Sequence, residues 1–106
     1  MKRLLCLDMD GTLLQDDGGL GAATMDVLRR IRKRGHVVSF ATGRGEIDMF
    51  RCQHLYRFAD YMLMGNGGKL LETSFGQTLF RQTVPQGPAR KLMEFCLERD
   101  LHLYVM

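Results

Sequence analysis

Apolar runs alternate with polar and glycine-rich stretches through the first two-thirds of the chain. Residues 4–7 form a continuous apolar run that ends in an acidic residue, which is typical of a strand buried on both faces in a parallel sheet. Residues 36–41 and 60–64 are predicted to form two further strands. Apolar residues at helical spacing predict helices over residues 22–34 and about 46–57. This order of elements indicates parallel strands joined by right-handed crossovers.

The last third of the chain has a different pattern. Residues 69–72 and 78–82 flank a Ser-Phe-Gly-Gln turn and predict a β-hairpin. An apolar face that begins near Pro88 predicts a helix, and residues 101–105 predict another strand. The predicted fold class is therefore α/β. It combines a Rossmann-like parallel sheet of three strands and its helices with a hairpin and the beginning of a further α/β unit.

Composition places the chain among ordinary folded proteins. The 106 residues are 45% hydrophobic and 25% charged, which fits one small domain or part of a larger one. Cys6, Cys52 and Cys96 are far apart and show no metal-ligand spacing, so we predict reduced thiols in a cytoplasmic protein. No segment approaches the length of a membrane span, and we expect no membrane partner.

The formal charge of +3 is concentrated in the basic run at residues 29–34. We interpret this run as the solvated last turn of a helix, where cations suit the negative end of the helix dipole. The alternative is a patch for nucleic acid or anionic substrates. No aromatic residues are interleaved with the run, so we expect no nucleic-acid partner.

Polar side chains follow all three predicted parallel strands. Asp8 and Asp10 end the first strand, Thr42 and Arg44 follow the second, and Asn66 follows the third. The carboxyl ends of parallel strands lie at one edge of the sheet, which is where ligands bind in open α/β folds. The sequence therefore predicts a ligand site at this edge.

Asp8 and Asp10 can support phosphoryl transfer. Two carboxylates held close together repel each other unless a cation or different protonation states separate them. Mg²⁺ accepts such oxygen ligands. One carboxylate could then attack phosphorus while the other moves a proton. The alternative is a turn in which Asp10 and Gly11 only reverse the chain.

Three strings at these positions resemble motifs of the haloacid dehalogenase superfamily of phosphohydrolases, and within it the Cof-type sugar-phosphate phosphatases. They are Asp-Met-Asp-Gly-Thr-Leu-Leu at 8–14, Ala-Thr-Gly-Arg at 41–44 and Asn-Gly-Gly at 66–68. The resemblance covers about residues 3–72. It implies an Mg²⁺-dependent phosphatase of small phosphorylated metabolites, with sugar phosphates as the first expectation.

The resemblance also implies residue roles. Asp8 would form an aspartyl-phosphate, and Asp10 would act as general acid and base. The Asp8 carboxylate and the Asp10 carbonyl would ligate Mg²⁺. The remaining positions would bind the phosphoryl group and the substrate: Thr42, Gly43, Arg44 and Asn66. Three alternatives stay open, since Thr42 could cap a helix, Arg44 could be a surface residue and Asn66 could serve only a turn.

The family pattern contains two further parts, a late lysine and a Gly-Asp-x-x-x-Asp cluster. This sequence lacks both, and neither Lys69 nor Lys91 has a matching context. We therefore expect a C-terminally truncated chain, with residues 1–82 belonging to the core and 83–106 beginning a cap. The alternative is an inactive phosphate-binding or assembly module. Its partner would be another copy or a complementing chain that pairs with the exposed strand at residues 4–7.

Overall fold

The computed structural model describes residues 1–105, which form one mixed sheet with helices. The sheet has five strands in the order β1-β2-β3-β4-β5. The strands are β1 Leu4–Asp8, β2 Val37–Ala41, β3 Tyr61–Met64, β4 Lys69–Glu72 and β5 Thr78–Arg81. The α-helices are α1 Ala22–Lys33, α2 Glu46–Phe50 and α3 Gln86–Glu98. The predicted α/β class and the three parallel strands are confirmed.

The first three strands are parallel, and the two that follow are antiparallel to their neighbours. The predicted hairpin of β4 and β5 is confirmed. In addition, β4 folds back directly on β3, so the hairpin extends the same sheet. The amino end of β4 therefore lies at the edge that holds the carboxyl ends of β1, β2 and β3.

Three predictions about local structure need correction. The strand at residues 4–7 is not buried on both faces, because the face that carries Leu4 and Cys6 is exposed, with Leu4 at 66%. The helix predicted over 46–57 is divided into the short α2 and a 3-10 helix, Gln53–Phe58. No strand forms over residues 101–105, which make no sheet pairing within the described part of the chain.

The core lies in the first two-thirds of the chain. Its buried members include the β2 side chains Val38 and Phe40, the β3 side chains Met62 and Met64, and Leu28 of α1. Methionines fill several of these positions, as expected of a flexible apolar side chain. Between residues 83 and 105, Cys96 is the one buried residue. The predicted division at residues 82 and 83 stays a prediction.

Helix α1 is held to the amino end of the sheet by Arg32. Its Nε and Nη2 donate to Asp60 Oδ1 at 3.0 and 2.8 Å, and its Nη1 donates to the Arg57 carbonyl at 2.6 Å. The other carboxylate oxygen of Asp60 accepts from the backbone N–H of Val38 at 2.9 Å. One member of the basic run therefore has a structural partner, which supports interpreting the run as a helix end.

No helix within residues 1–105 combines the length and apolar character needed to cross a bilayer.

Candidate active site

The three predicted site segments meet at the carboxyl edge of the sheet. Asp8 pairs with Ala41, and Ala41 pairs in turn with Leu63, so the loops that follow β1, β2 and β3 start side by side. Parallel pairing dictates this arrangement, because each strand enters the sheet in the same direction.

Asp8 ends β1 with an exposed side chain. The chain then makes a tight turn in which the Leu14 N–H donates to the Met9 carbonyl at 3.0 Å. Gly11 has φ 71° in this turn, a left-handed conformation that glycine adopts without a Cβ penalty. The turn brings Thr12 back towards Asp8, and its hydroxyl donates to Asp8 Oδ2 at 3.0 Å. This contact orients the carboxylate and occupies one of its oxygens.

Asp10 makes a two-bond ion pair with Arg44. Arg44 Nε donates to Asp10 Oδ2 at 2.8 Å, and Arg44 Nη2 donates to Asp10 Oδ1 at 2.5 Å. These hydrogen bonds, reinforced by the charge of Arg44, lower the pKa of Asp10 against a smaller opposing effect of desolvation. The pair raises the pKa of Arg44 correspondingly. Asp10 is therefore a carboxylate in this state.

Thr42 is buried at the end of β2, only 6% exposed. Its backbone N–H donates to the Leu63 carbonyl at 2.9 Å, and its Oγ1 accepts from the Arg44 N–H at 3.0 Å. The hydroxyl thus shapes the turn that leads to α2, but Thr42 does not cap that helix, whose N-cap residue is Gly45 without a side-chain hydrogen bond. That contact uses the oxygen as acceptor and leaves the hydroxyl hydrogen free to donate to a ligand.

Gly43 and Asn66 lie against each other. A Cβ on residue 43 would lie 2.9 Å from Asn66 Oδ1, so a larger residue here would displace the Asn66 side chain. Asn66 has φ 53° and its N–H donates to the Thr42 carbonyl at 3.3 Å. Asn66 is therefore a turn residue in a left-handed conformation, and its side chain also lies beside the loop that follows β2.

Besides the Asp10–Arg44 pair, two further contacts of this region were not predicted. Arg44 Nη1 donates to Cys52 Sγ at 3.1 Å. The carboxylate of Glu46 binds both Lys69 and Arg81, the latter at 2.9 Å. The sequence carried a partial signal for the second contact, because pairing of the predicted hairpin sets Lys69 opposite Arg81. The ammonium of Lys69 is thus bound to Glu46.

The acidic residues of this edge offer limited metal coordination. Within residues 1–105, no group of three or more His, Cys, Asp or Glu side chains could enclose an ion. Both oxygens of the Asp10 carboxylate accept hydrogen bonds from Arg44. The oxygen ligands that remain for Mg²⁺ are the Asp8 carboxylate and the Asp10 backbone carbonyl. Both are oxygen ligands of the kind this ion accepts, and water would complete its shell.

Comparison with known proteins identifies the family. A family model described as haloacid dehalogenase-like hydrolase matches residues 5–106. The chain belongs to this family. The HMP-PP phosphatase of Shigella flexneri is 36% identical over 106 residues, covering 98% of this chain and 39% of that protein. The HMP-PP phosphatase of Klebsiella pneumoniae is 33% identical over 105 residues, covering 99% of this chain and 38% of that protein.

Solved structures of the family share this fold. A phosphatase of the haloalkanoate enzyme superfamily from Bacteroides thetaiotaomicron is 28% identical, with a TM-score of 0.79 over 94% of this chain and 37% of that chain. A haloacid dehalogenase-like hydrolase from B. subtilis has a TM-score of 0.81 at 21% identity, over 94% of this chain and 34% of that chain. The chain thus spans about two-fifths of the length of the curated relatives it matches.

Proposed function

We propose that this chain carries the nucleophile part of an Mg²⁺-dependent phosphohydrolase that works through an aspartyl-phosphate on Asp8. The observation that supports this most is the Asp10–Arg44 pair, which joins the loop after β1 to the loop after β2. Together with the pairing of β1 and β2, it holds Asp10 beside the turn that contains Thr42, near the end of β1 at Asp8. Membership of a hydrolase family with phosphatase relatives supports the same reaction class.

In the first step, a carboxylate oxygen of Asp8 attacks phosphorus and the bond to the leaving oxygen breaks. The Thr12 hydroxyl donates to Asp8 Oδ2, so Oδ1 is the oxygen assigned to the attack. Thr42 donates its hydroxyl hydrogen to a phosphoryl oxygen. The leaving oxygen takes a proton from Asp10, which yields the free alcohol and a phosphorylated Asp8.

In the second step, Asp10 removes a proton from water, and the resulting oxygen attacks phosphorus. Phosphate leaves and the Asp8 carboxylate is restored. The structure suits this second step, because its Asp10–Arg44 hydrogen bonds lower the pKa of Asp10 and keep the carboxyl group ionised. The first step requires a protonated Asp10. We propose that the incoming phosphoryl group competes for Arg44 and thereby frees Asp10 to take up a proton.

The metal is assigned to Asp8 and Asp10. The Asp8 carboxylate and the Asp10 carbonyl would hold Mg²⁺, which neutralises charge on the phosphoryl oxygens when bound. The substrate class is small phosphorylated metabolites, with sugar phosphates and diphosphates such as HMP-PP as the first to assay, since the relatives are named HMP-PP phosphatases. A cytoplasmic location stays a prediction.

The test is hydrolysis of p-nitrophenyl phosphate with Mg²⁺ by the chain and by Asp8→Asn. We expect the variant to lose all turnover above background, because an amide is a poor nucleophile. Asp16→Asn is a matched control in the exposed loop that follows, and it should keep the parent rate. Equal rates in the parent and Asp8→Asn would contradict the proposal. Beryllium fluoride, which forms a tetrahedral adduct on a reactive aspartate, gives a binding readout without turnover.

A second candidate is an assembly module that uses the exposed edge of β1. The observation that favours it is the position of β1 at the end of the sheet order, with Leu4 66% exposed. An open apolar edge of this kind can pair with another chain. Sedimentation of the chain at increasing concentration tests the idea. A monomer at every concentration, unchanged by Leu4→Lys, would exclude self-pairing.

A further inference from the structure

A cavity of about 450 Å³ lies beside the candidate active site. Gly45 and Gly65 line it, and they are the chain neighbours of Arg44 and Asn66. Leu92 and Met93 of α3 also line it and remain 53% and 44% exposed. The volume and the mixture of apolar and polar walls are typical of sites for small molecules.

The polar part of the wall has an excess of positive charge. Lys69 and Arg81 both line the cavity, and both bind the single carboxylate of Glu46, which also lines it. Two cations and one anion leave a net charge of one positive unit. The Lys69 side chain is 13% exposed, whereas the Arg81 side chain is 54% exposed. Glu46 is the one side-chain hydrogen-bond partner of Arg81 within residues 1–105, so further guanidinium N–H groups can bind a ligand.

Sheet pairing sets the distance between this cluster and Asp8. Asp8 lies on β1, Lys69 on β4 and Arg81 on β5, all at the same edge of the sheet. With neighbouring strands about 4.8 Å apart, the backbones of Asp8 and Lys69 are separated by roughly 14 Å. The long side chains of Lys69 and Arg81 shorten the gap that a ligand has to bridge. A phosphorylated metabolite of ordinary size can therefore reach from one site to the other.

We propose that this cavity binds the non-reacting end of the substrate, and that this end carries an apolar body and an anionic group such as a carboxylate or a second phosphate. This inference rests on the proposed function of Asp8. Leu92 and Met93 would contact the apolar part, while Lys69 and Arg81 would bind the anion. It predicts a preference for phosphorylated compounds with a second negative group over simple monophosphates.

The same cluster could serve only to attach α2 to β4 and β5. Lys69 binds Glu46 Oε1 and Arg81 binds Glu46 Oε2, so one carboxylate accommodates both cations. The observation that favours the ligand role is that Arg81 is 54% exposed and lines a cavity of ligand size. The experiment below separates the two roles.

Two phosphonates test the proposal, because their carbon–phosphorus bond resists hydrolysis. 6-Phosphonohexanoate carries a terminal carboxylate, and hexylphosphonate is its match without one. Binding of each compound to the chain is measured in the presence of Mg²⁺ by NMR, from the changes in backbone amide chemical shifts. We expect 6-phosphonohexanoate to bind about 5- to 20-fold more tightly, the range that one hydrogen-bonded ion contact provides. Arg81→Met should bring the two affinities to within about twofold.

Arg90→Met is the matched control, since Arg90 lies exposed on α3 and does not line the cavity. It should retain the parent preference. Equal affinity of the two phosphonates for the parent chain would overturn the proposal, and so would a preference that persists in Arg81→Met.

The positions of the amide shifts separate this inference from the proposed function. Chemical-shift changes at residues 8–12 without tighter binding of 6-phosphonohexanoate would support phosphoryl binding at Asp8 and contradict the proposed anion site in the cavity. Shifts at Lys69 and Arg81 without any at residues 8–12 would support an anion site and contradict phosphoryl binding at Asp8. Binding of neither compound would overturn both.

Discussion

The two ends of the sheet each hold an arginine–aspartate pair, and the pairs differ in how they are embedded. At the amino end, Arg32 and Asp60 are 30% and 29% exposed, and Asp60 also accepts a backbone N–H from β2. At the carboxyl end, Asp10 is 54% exposed, and its carboxylate contacts Arg44 alone among the described residues. The first pair joins a helix to the sheet, while the second joins two loops.

This difference indicates which pair can be exchanged for a ligand. Removal of either member of the Arg32–Asp60 pair leaves half-buried polar groups without partners, which is costly. Opening the Asp10–Arg44 pair returns the 54% exposed Asp10 carboxylate to water, while Arg44, which is 30% exposed like Arg32, keeps its contact with Cys52 Sγ. Ion pairs with an exposed partner contribute little to stability. An anionic substrate can therefore compete for Arg44 without unfolding the domain.

The largest effect is expected from Asp60→Ala at the amino end. The change leaves Nε and Nη2 of Arg32 and the Val38 N–H without their acceptor, while Arg32 Nη1 keeps the Arg57 carbonyl. We expect the free energy of unfolding to fall by about 2–4 kcal/mol. Urea unfolding followed by circular dichroism measures this. Asp26→Ala is the control, because Asp26 forms an exposed pair with Arg29 within α1, and it should cost less than about 0.5 kcal/mol. Equal losses in the two variants would remove the distinction between embedded and exposed pairs.

A smaller effect is expected at Asn66, where a backbone requirement and a side-chain role can be separated. Asn66 has φ 53°, so Asn66→Ala should cost about 1 kcal/mol of stability through backbone strain. Asn66→Gly keeps the turn and removes the side chain, and it should be close to the parent in stability. A fall in phosphatase rate in Asn66→Gly would assign the side chain to the substrate. Parent activity in that variant would leave Asn66 as a turn residue only.

The strands and the positions of the site residues could be predicted from sequence, but the ion pair between two of these residues could not. Apolar runs at residues 36–41 and 60–64 gave the strands, because burial in a parallel sheet demands them. The turn glycines and strand order then placed Asp8, Thr42 and Asn66 at one edge. The Arg44–Asp10 contact was not predicted, since the sequence placed Arg44 on the substrate side. The contact depends on the conformation of the Arg44 side chain. Because Arg44 and Asp10 are 34 positions apart in sequence, no local pattern predicts it.

The incorrect predictions also have a physical reason. An apolar run shows that burial is favourable, and it does not show whether a partner strand or a covering element exists. Residues 4–7 were expected to be buried on both faces, but the face that carries Leu4 and Cys6 is exposed. Residues 101–105 read as a strand and find no pairing among the described residues. Apolar spacing over 46–57 could not reveal that the chain tightens into a 3-10 helix at Gln53–Phe58.

At the carboxyl end, Arg44→Met should change stability little. The substitution keeps most of the apolar stem and removes the ion pair, so we expect a loss below about 1 kcal/mol at neutral pH. Arg32→Met at the other end should cost at least twice as much, because it leaves the partly buried Asp60 Oδ1 without a donor. Urea unfolding of the two variants compares them directly. A loss in Arg44→Met as large as that in Arg32→Met would show that the site pair is structural as well.

The smallest effect is the pH dependence of the Asp10–Arg44 pair. Its contacts with Arg44 lower the pKa of folded Asp10 below the ordinary value of 3.8. A carboxyl group with a lowered folded pKa stabilises the protein fully above its unfolded pKa, and this stabilisation is lost as pH falls through the folded value. The difference in unfolding free energy between the parent and Arg44→Met should therefore be constant above about pH 5 and shrink below pH 3.8. Glu46 and Glu72 also have lowered pKa values, but both variants contain them, so their effects cancel in the difference. A stability difference that stays constant from pH 7 to pH 3 would mean that Arg44 contributes through contacts that do not depend on the ionisation of Asp10, such as the one from its Nη1 to Cys52 Sγ.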